Sequence, residues 1–261
     1  MAIFITGDMH GYISEITYVI EYISNKSVDY YHPNYLIVAG DFGFIFQNTH
    51  SEKMFINDLE NYCVNHNMYI LFVDGNHENF DVINALPVER FLSGNAHKIN
   101  NHIFHLMRGE VFYFTEENAG VEFSILAFGG ARSVDKAERL SMEKQDGIKR
   151  WWMQEIPTSS DVDNLIKNIG KVKGEIDFIV THQAPPAALR ELERMEKTLL
   201  HSEDDALLLE TLNLIDMNVK YKQWFFGHHH IDKSLGRYTA CLKDIHNLGE
   251  YSGGFSFGEL F

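Results

Sequence analysis

Five short clusters of Asp, Asn and His each close an apolar run: Gly7-Asp8-Met9-His10-Gly11, Gly40-Asp41-Phe42-Gly43, Gly75-Asn76-His77-Glu78, Thr181-His182 and Gly227-His228-His229-His230. Carboxylate oxygens, an amide oxygen and imidazole nitrogens all ligate divalent cations. Their recurrence behind hydrophobic segments points to loops gathered at a common sheet edge. The set contains no thiolate, and its mixed N/O character suits Mn, Fe, Zn or Ni better than Ca or Mg. Such a set can hold two ions, and a two-ion site points to hydrolysis of a phosphate ester, a reaction that is extremely slow unaided. Ions roughly 3.5–4 Å apart bind phosphoryl oxygens, acidify a bridging water and clamp the entering and leaving oxygens.

The individual residues divide the work. Asp8 and His10 alternate, so on an extended strand end they point the same way and can grip one ion. Asp41 has two oxygens and can bridge two cations. Asn76 offers a neutral amide oxygen, and His182, His228 and His230 offer imidazoles. His77 follows Asn76 in the next side-chain direction, which suits a proton donor to the leaving group. Glu78 could orient His77 or hydrogen-bond another ligand. His229 lies between two ligand candidates and should face away. Taken singly, each His would be read as a core or surface hydrogen-bonding residue; the ordered set carries the metal reading. Arg132 is a candidate phosphate clamp, since a guanidinium matches phosphate oxygens bidentately; the plainer reading is a surface ion pair. Trp151 and Trp152 either wall a substrate pocket or, the favoured reading, pack their segment onto the core. His97, His102, His105 and His246 read as structural.

The elements that must position these residues are visible as short apolar runs read as buried strands: 3–6, 35–39, 69–73, 176–180 and 223–226, each ending at one cluster. They lack polar/apolar alternation, as expected when both faces of a sheet are covered. Helical stripes fill 14–24, 51–65 and 202–217, the last with a Ser cap and an acidic first turn that complements the helix dipole. Strand-like segments follow at 103–107, 111–114, 123–128 and 238–242. Early strand–helix alternation followed by hairpin-like strands indicates an α/β protein with two sheets. The 131–160 stretch is polar and irregular and reads as a surface excursion. The tail around Phe255, Phe257 and Phe261 reads as a final edge strand or a self-association surface.

Composition narrows the class. The 261 residues carry 22 Lys and Arg against 37 Asp and Glu, a net charge of −15 that disfavours non-specific nucleic-acid binding and mildly favours a small substrate. A chain this long buries a core without staples, so metals would be functional rather than structural. Cys63 and Cys241 belong to no CxxC pair and read as core residues, which fits a reducing cytosol. Residues 2–5 open directly on a strand with no basic stretch before them, so no signal peptide is expected. No run approaches the roughly 20 apolar residues of a membrane span. Oligomeric state is not legible.

The five clusters, in order and spread over almost the whole chain, resemble the calcineurin-like metallophosphoesterases, whose pattern is D-x-H, G-D, G-N-H-E/D, H and G-H-x-H. The resemblance implies one domain over 1–261, folded as a four-layer α/β/β/α sandwich of two mixed β-sheets flanked by helices. It implies that Asp8, His10, Asp41 and His230 hold one metal, that Asp41, Asn76, His182 and His228 hold the other, and that His77 is the general acid. Mn is the first expectation for both ions, with Fe, Zn or Ni as alternatives. A bridging hydroxide would attack a phosphomonoester or phosphodiester. Asn76 would also touch substrate. Gly40-Asp41-Phe42-Gly43-Phe44-Ile45 lacks the Arg of G-D-x-x-D-R-G, which argues against a protein phosphatase. Residues 129–135, with Arg139 and Trp151-Trp152 downstream, are similar to a bacterial and phage-encoded branch. Two other functions stay open: a DNA or RNA nuclease, and a non-catalytic protein-binding scaffold, against which the full ligand set argues.

Overall fold

The computed structural model describes residues 1–26, 32–115, 122–197 and 202–251. Strands and helices alternate first: β1 (Ile3–Thr6), α1 (Ile13–Lys26), β2 (Asn34–Val38), α2 (His50–Asn65) and β3 (Met68–Phe72). A single turn α3 (Phe80–Ile83) leads into β4 (Val88–Phe91), β5 (Gly94–Lys98), β6 (Ile103–Leu106), β7 (Glu110–Thr115) and β8 (Glu122–Phe128). Helices α4 (Lys136–Asp146) and α5 (Ser159–Lys171) precede β9 (Phe178–Thr181), and α6 (Pro186–Glu196) and α7 (Ala206–Asn218) precede β10 (Gln223–Phe226). Strands β11 (Lys233–Leu235), β12 (Tyr238–Ala240) and β13 (His246–Asn247) complete the order.

The strands form a seven-stranded sheet, β13-β1-β2-β3-β6-β5-β4, and a six-stranded sheet, β11-β12-β10-β9-β8-β7. Both are parallel at the centre (β1-β2-β3-β6 and β12-β10-β9-β8) and antiparallel at their rims, hence mixed. Side-chain alternation explains why the strands show no polar face. Ile3 and Ile5 enter the layer between the sheets while Phe4 points to α1 and α2. Phe178, Val180 and Phe225 enter the same layer from the second sheet, while Ile179, Trp224 and Phe226 point to α5, α6 and α7. Each central strand therefore serves two apolar cores, and the result is the α/β/β/α sandwich.

The helices follow their stripes. Ile16, Val19, Ile20 and Ile23 bury one face of α1, and Ile56, Leu59 and Cys63 one face of α2. Thr49 caps α2 through a reciprocal capping box with Glu52. The acidic run 203–205 is a separate 3-10 turn capped by Ser202, so α7 begins one turn later than its sequence pattern indicates. The 131–160 stretch is less irregular than expected: it contains α4, which ends at Gly147 in the left-handed region, and a 3-10 turn at Met153–Glu155. Helix α4 escaped the periodicity argument because only Arg139 on it is buried. The β4–β5 hairpin offers no apolar run, being rich in charged and amide side chains, whereas α5 and α6 do carry apolar stripes, through Leu165 and through Ala188, Leu189 and Leu192, that the sequence reading left out. Cys63 lies in α2 and Cys241 just after β12, both buried and free. Burial pushes the Cys63 thiol up to about 12. The aromatic tail lies outside the described residues.

Phe178 is fully buried between the sheets, against Phe123 and Phe225. Phe178→Ala should cost about 3–5 kcal/mol in urea unfolding, because the rigid sheets cannot collapse onto the cavity. A cost under about 1 kcal/mol would show that the inter-sheet layer repacks.

Candidate metal centre

Strands β1, β2, β3, β9 and β10 run parallel within their sheets, so the loops at their C-terminal ends emerge along one edge. These loops carry Asp8 and His10, Asp41, Asn76, His182 and His228. Two glycines let the loops close on one another. A Cβ on Gly40, whose φ is +99°, would lie 2.1 Å from His182 Nδ1, and one on Gly227 would lie 2.2 Å from Asp8 Oδ1. His10, Asp41, His228 and His230 all hold left-handed φ values of 45–66°, an uncommon conformation for non-glycine residues that the surrounding packing must enforce.

The side chains converge from both sheets. His230 Nε2 lies 3.1 Å from Asp8 Oδ2 and 3.1 Å from His10 Nε2. His10 Nε2 also lies 3.8 Å from Asp41 Oδ2. His182 donates from Nδ1 to the carbonyl of Ala39 at 2.7 Å, which leaves Nε2 facing Asp41 Oδ1 at 3.4 Å and Asn76 Oδ1 at 3.2 Å. The His228 ring lies 5.1 Å from that of His182, and its backbone N–H donates to Asp8. Two sets, Asp8/His10/His230 and Asp8/Asp41/His182, each offer ligand atoms within 4.8 Å of one another. Asp8 is the member common to both, whereas the resemblance gives that place to Asp41.

Asp8 and Asp41 are only 3% and 1% exposed. Among the described residues the cationic side chains within ion-pair range of them are histidines, not Lys or Arg. Burial alone would raise the Asp41 carboxyl, but His182, His77 and His10 hold it well below the usual range. Burial opposes charge on His182, yet Asp41 and Asp8 lift it to about 10. His230 is raised by its hydrogen bond to Asp8, while burial drives half-buried His228 well below its ordinary value.

The third cluster also braces the second. The His77 N–H donates to Asp41 Oδ1 at 2.7 Å, and Glu78 Oε1 accepts from the Phe42 N–H at 2.7 Å. Glu78 thus supports the backbone beside Asp41 rather than His77; burial and the nearby Asp41 raise its pKa well above the ordinary carboxyl value. The His77 ring meets that of His10 edge-on at 5.1 Å and packs against the Arg139 guanidinium. Burial, then Arg139, lowers its proton affinity, and Asp41 opposes them.

The calcineurin-like phosphoesterase family model matches residues 1–232. The chain belongs to this family. Membership implies phosphoester hydrolysis and divalent metal ions. No curated protein sequence matches the chain. Two solved structures align with most of the chain. One is a protein assigned as a 5'-nucleotidase from Staphylococcus aureus, in complex with alpha-ketoglutarate: 14% identity, TM-score 0.48, covering 92% of this chain and 48% of that one. The other is a phosphopantetheinyl hydrolase from Mycobacterium tuberculosis: 14% identity, TM-score 0.44, covering 93% of this chain and 90% of that one. This chain spans about half the length of the first.

The fold brings Asp8, His10, Asp41, Asn76, His77, His182, His228 and His230 together. His229 turns away and meets Gln183 Oε1 at 2.7 Å. Arg132 lies beside buried Asp205, with Nε 3.8 Å from its carboxylate. Trp152 is buried edge-on against Phe46, and Lys136 lies 4.2 Å above the Trp151 ring. The residue that sequence reasoning undervalued is Arg139, bound to Asp135 Oδ2 at 2.9 Å and to the carbonyl of Asn76 at 3.0 Å. The signal lay in an Asp-to-Arg spacing of four in a polar helix, a weak one.

A second polar cluster went unread. Asp74 precedes the Gly75-Asn76 turn; it holds Arg108 bidentately and accepts from His105 Nε2 at 3.1 Å. His105 Nδ1 then faces His97 Nδ1 at 2.9 Å. These residues line a pocket of about 190 Å³ that none of the metal-centre donors borders. Burial, then neighbouring His105, lowers His97 to about 4, against an ordinary 6.5. Below pH 6.5 the unfolded chain takes up a proton at this position that the folded protein refuses until about pH 4. Stability is therefore complete above that window and falls as pH drops through it, by up to about 3 kcal/mol. His97→Gln should flatten the fall in urea-unfolding free energy between pH 7 and 5, and an unchanged slope would assign it to other groups.

Proposed function

We propose that this phosphoesterase hydrolyses a small phosphate ester at a dinuclear centre. Asp8, His10, Asp41 and His230 would hold one ion and Asp41, Asn76, His182 and His228 the other. Manganese is the first expectation. The observation that carries the reading is the pair of donor sets that share buried Asp8, one of them also containing buried Asp41, with only histidines, among the described residues, in ion-pair range to oppose their charge. The donor chemistry fits: two carboxylates, an amide oxygen and imidazoles, without thiol, suit borderline divalent cations. His182 fits in detail. Its Nδ1 proton is committed to a backbone carbonyl, so Nε2 is the ligating nitrogen, as in many metal sites where the second ring nitrogen is anchored.

Two divalent ions bound there would supply Lewis acidity toward phosphoryl oxygens and a water acidified toward neutrality. The chain supplies the rest. Asp8 and Asp41, taken out of water by their loops, set the charge of the floor. The His77 backbone N–H fixes one Asp41 oxygen, and Glu78 fixes the peptide that follows. The His77 ring, set beside His10, would deliver a proton to the departing oxygen. Arg139 buttresses that ring. The net charge of −15 favours a small ester over a polyanionic chain. The two buried free cysteines are compatible with a reducing cytoplasm, the compartment we assign. Strand β13, beyond the family match, pairs with β1, which supports reading the chain as one domain.

Asp41→Asn should reduce hydrolysis of p-nitrophenyl phosphate and bis-p-nitrophenyl phosphate to near background in Mn²⁺; wild-type-like rates on either ester would refute the assignment. His77→Ala should slow alkyl esters by on the order of 100-fold or more, and aryl esters less, because a good leaving group needs little protonation. Retained metal in that variant separates a proton donor from a ligand.

A further inference from the structure

We propose that Ser133 and Glu155 are positioning residues that decide which end of the Asn76 amide faces the metal position; this rests on the reading of Asn76 as a ligand. An Asn side chain has two ends of nearly equal shape, one accepting and one donating, and only the oxygen can ligate. The assignment of those ends must come from the hydrogen-bond network around them.

At Asn76 that network has one direction. The side chain is buried, with Oδ1 3.2 Å from His182 Nε2 and Nδ2 donating to Ser133 Oγ at 3.3 Å. The hydroxyl proton of Ser133 is already committed, because Oγ donates to Glu155 Oε2. The Ser133 N–H is committed too, donating to Glu155 Oε1 at 3.0 Å. A carboxylate only accepts, so Ser133 Oγ has lone pairs alone to offer Asn76. An amide turned round would set its oxygen against those lone pairs and its NH₂ group toward the metal position. Glu155, buried and accepting from both the Ser133 N–H and its hydroxyl, thereby sets the sense of both bonds that lead to Asn76.

The same assembly is tied to the root of the loop. The Glu155 carbonyl accepts from Arg108 Nη2 at 3.4 Å, and Arg108 grips Asp74, two residues before Asn76. The Gly130 N–H donates to the Asp74 carbonyl at 2.7 Å. The segment from 130 to 155 thus grips the Asn76 loop at its backbone root and at its side chain.

The test is Mn²⁺ binding to the full-length protein, stripped of metal and titrated with MnCl₂ while free aqueous Mn²⁺ is followed by electron paramagnetic resonance. Ser133→Ala should weaken one of two binding events by about 10–100-fold and leave the other unchanged. Glu155→Gln, which can donate to Ser133 Oγ and so loses the fixed sense, should weaken the same event. Asn76→Asp distinguishes orientation from simple support: both ends are then oxygen, and Ser133→Ala added to it should no longer change the affinity. An equal loss in both backgrounds, or no loss from either Ser133→Ala or Glu155→Gln, would overturn the proposal. If Asn76→Ala leaves both binding events intact, Asn76 is not a ligand and the underlying reading fails instead.

Discussion

Two carboxylates buried side by side, with no Lys or Arg in ion-pair range among the described residues, are the constraint around which the rest of this protein is arranged. Isolated buried carboxylates are strongly disfavoured unless something positive meets them. Here that something is a ring of imidazoles, which can carry protons or lend lone pairs to a cation. A guanidinium would have neutralised the pair permanently. Histidine neutralises it conditionally, and that is what would let the same pocket accept a metal.

Meeting that constraint needs side chains from five loops, and the sandwich supplies them. Parallel strands at the centre of each sheet put all the relevant C-terminal ends on one edge. The shared apolar layer, filled by Ile5, Ile37, Val180 and Phe225 among others, locks the two sheets in register so that Asp8 and His182 can meet across them. Local geometry then yields to the site: left-handed His10, Asp41, His228 and His230, and glycines where a single methyl group would overlap His182 or Asp8. Such conformations are unfavourable alone and persist because the packed layers leave no alternative.

The sequence disclosed the parts that depend on periodicity and on rare side chains. Strand β1 and strand β10 were legible to the residue, because a short apolar run that stops at a glycine has few other meanings. The eight polar side chains were legible because Asp and His seldom follow such runs. What stayed hidden depended on polar pairs distant in the chain. Asn76 meets Ser133, and Arg139 meets His77, across more than 50 residues of separation. No spacing rule links them. Helix α4 was hidden for the related reason that it packs through Arg139 rather than an apolar stripe. Arg132, singled out for its charge, faces Asp205, while the neighbouring Ser133 faces the candidate site. A one-residue change of direction separates the two, and composition cannot resolve it.

The 131–160 segment looks different in this light. A polar stretch of that length over a compact core reads first as decoration. Its buried polar residues instead serve one target: Ser133, held by Glu155, meets the Asn76 side chain, and Arg139 meets the Asn76 carbonyl and the His77 ring. Asn76 and His77 are the adjacent pair in which one residue would face the metal and the next the leaving group. A tight turn alone fixes the backbone of such a pair but leaves two amide orientations and several ring rotamers open. Hydrogen bonds of definite direction from a second segment remove that freedom, and polar contacts are better suited to it than apolar ones, which carry no sense of donor and acceptor. The polarity that made the excursion unreadable as a helix is the property that lets it orient the site.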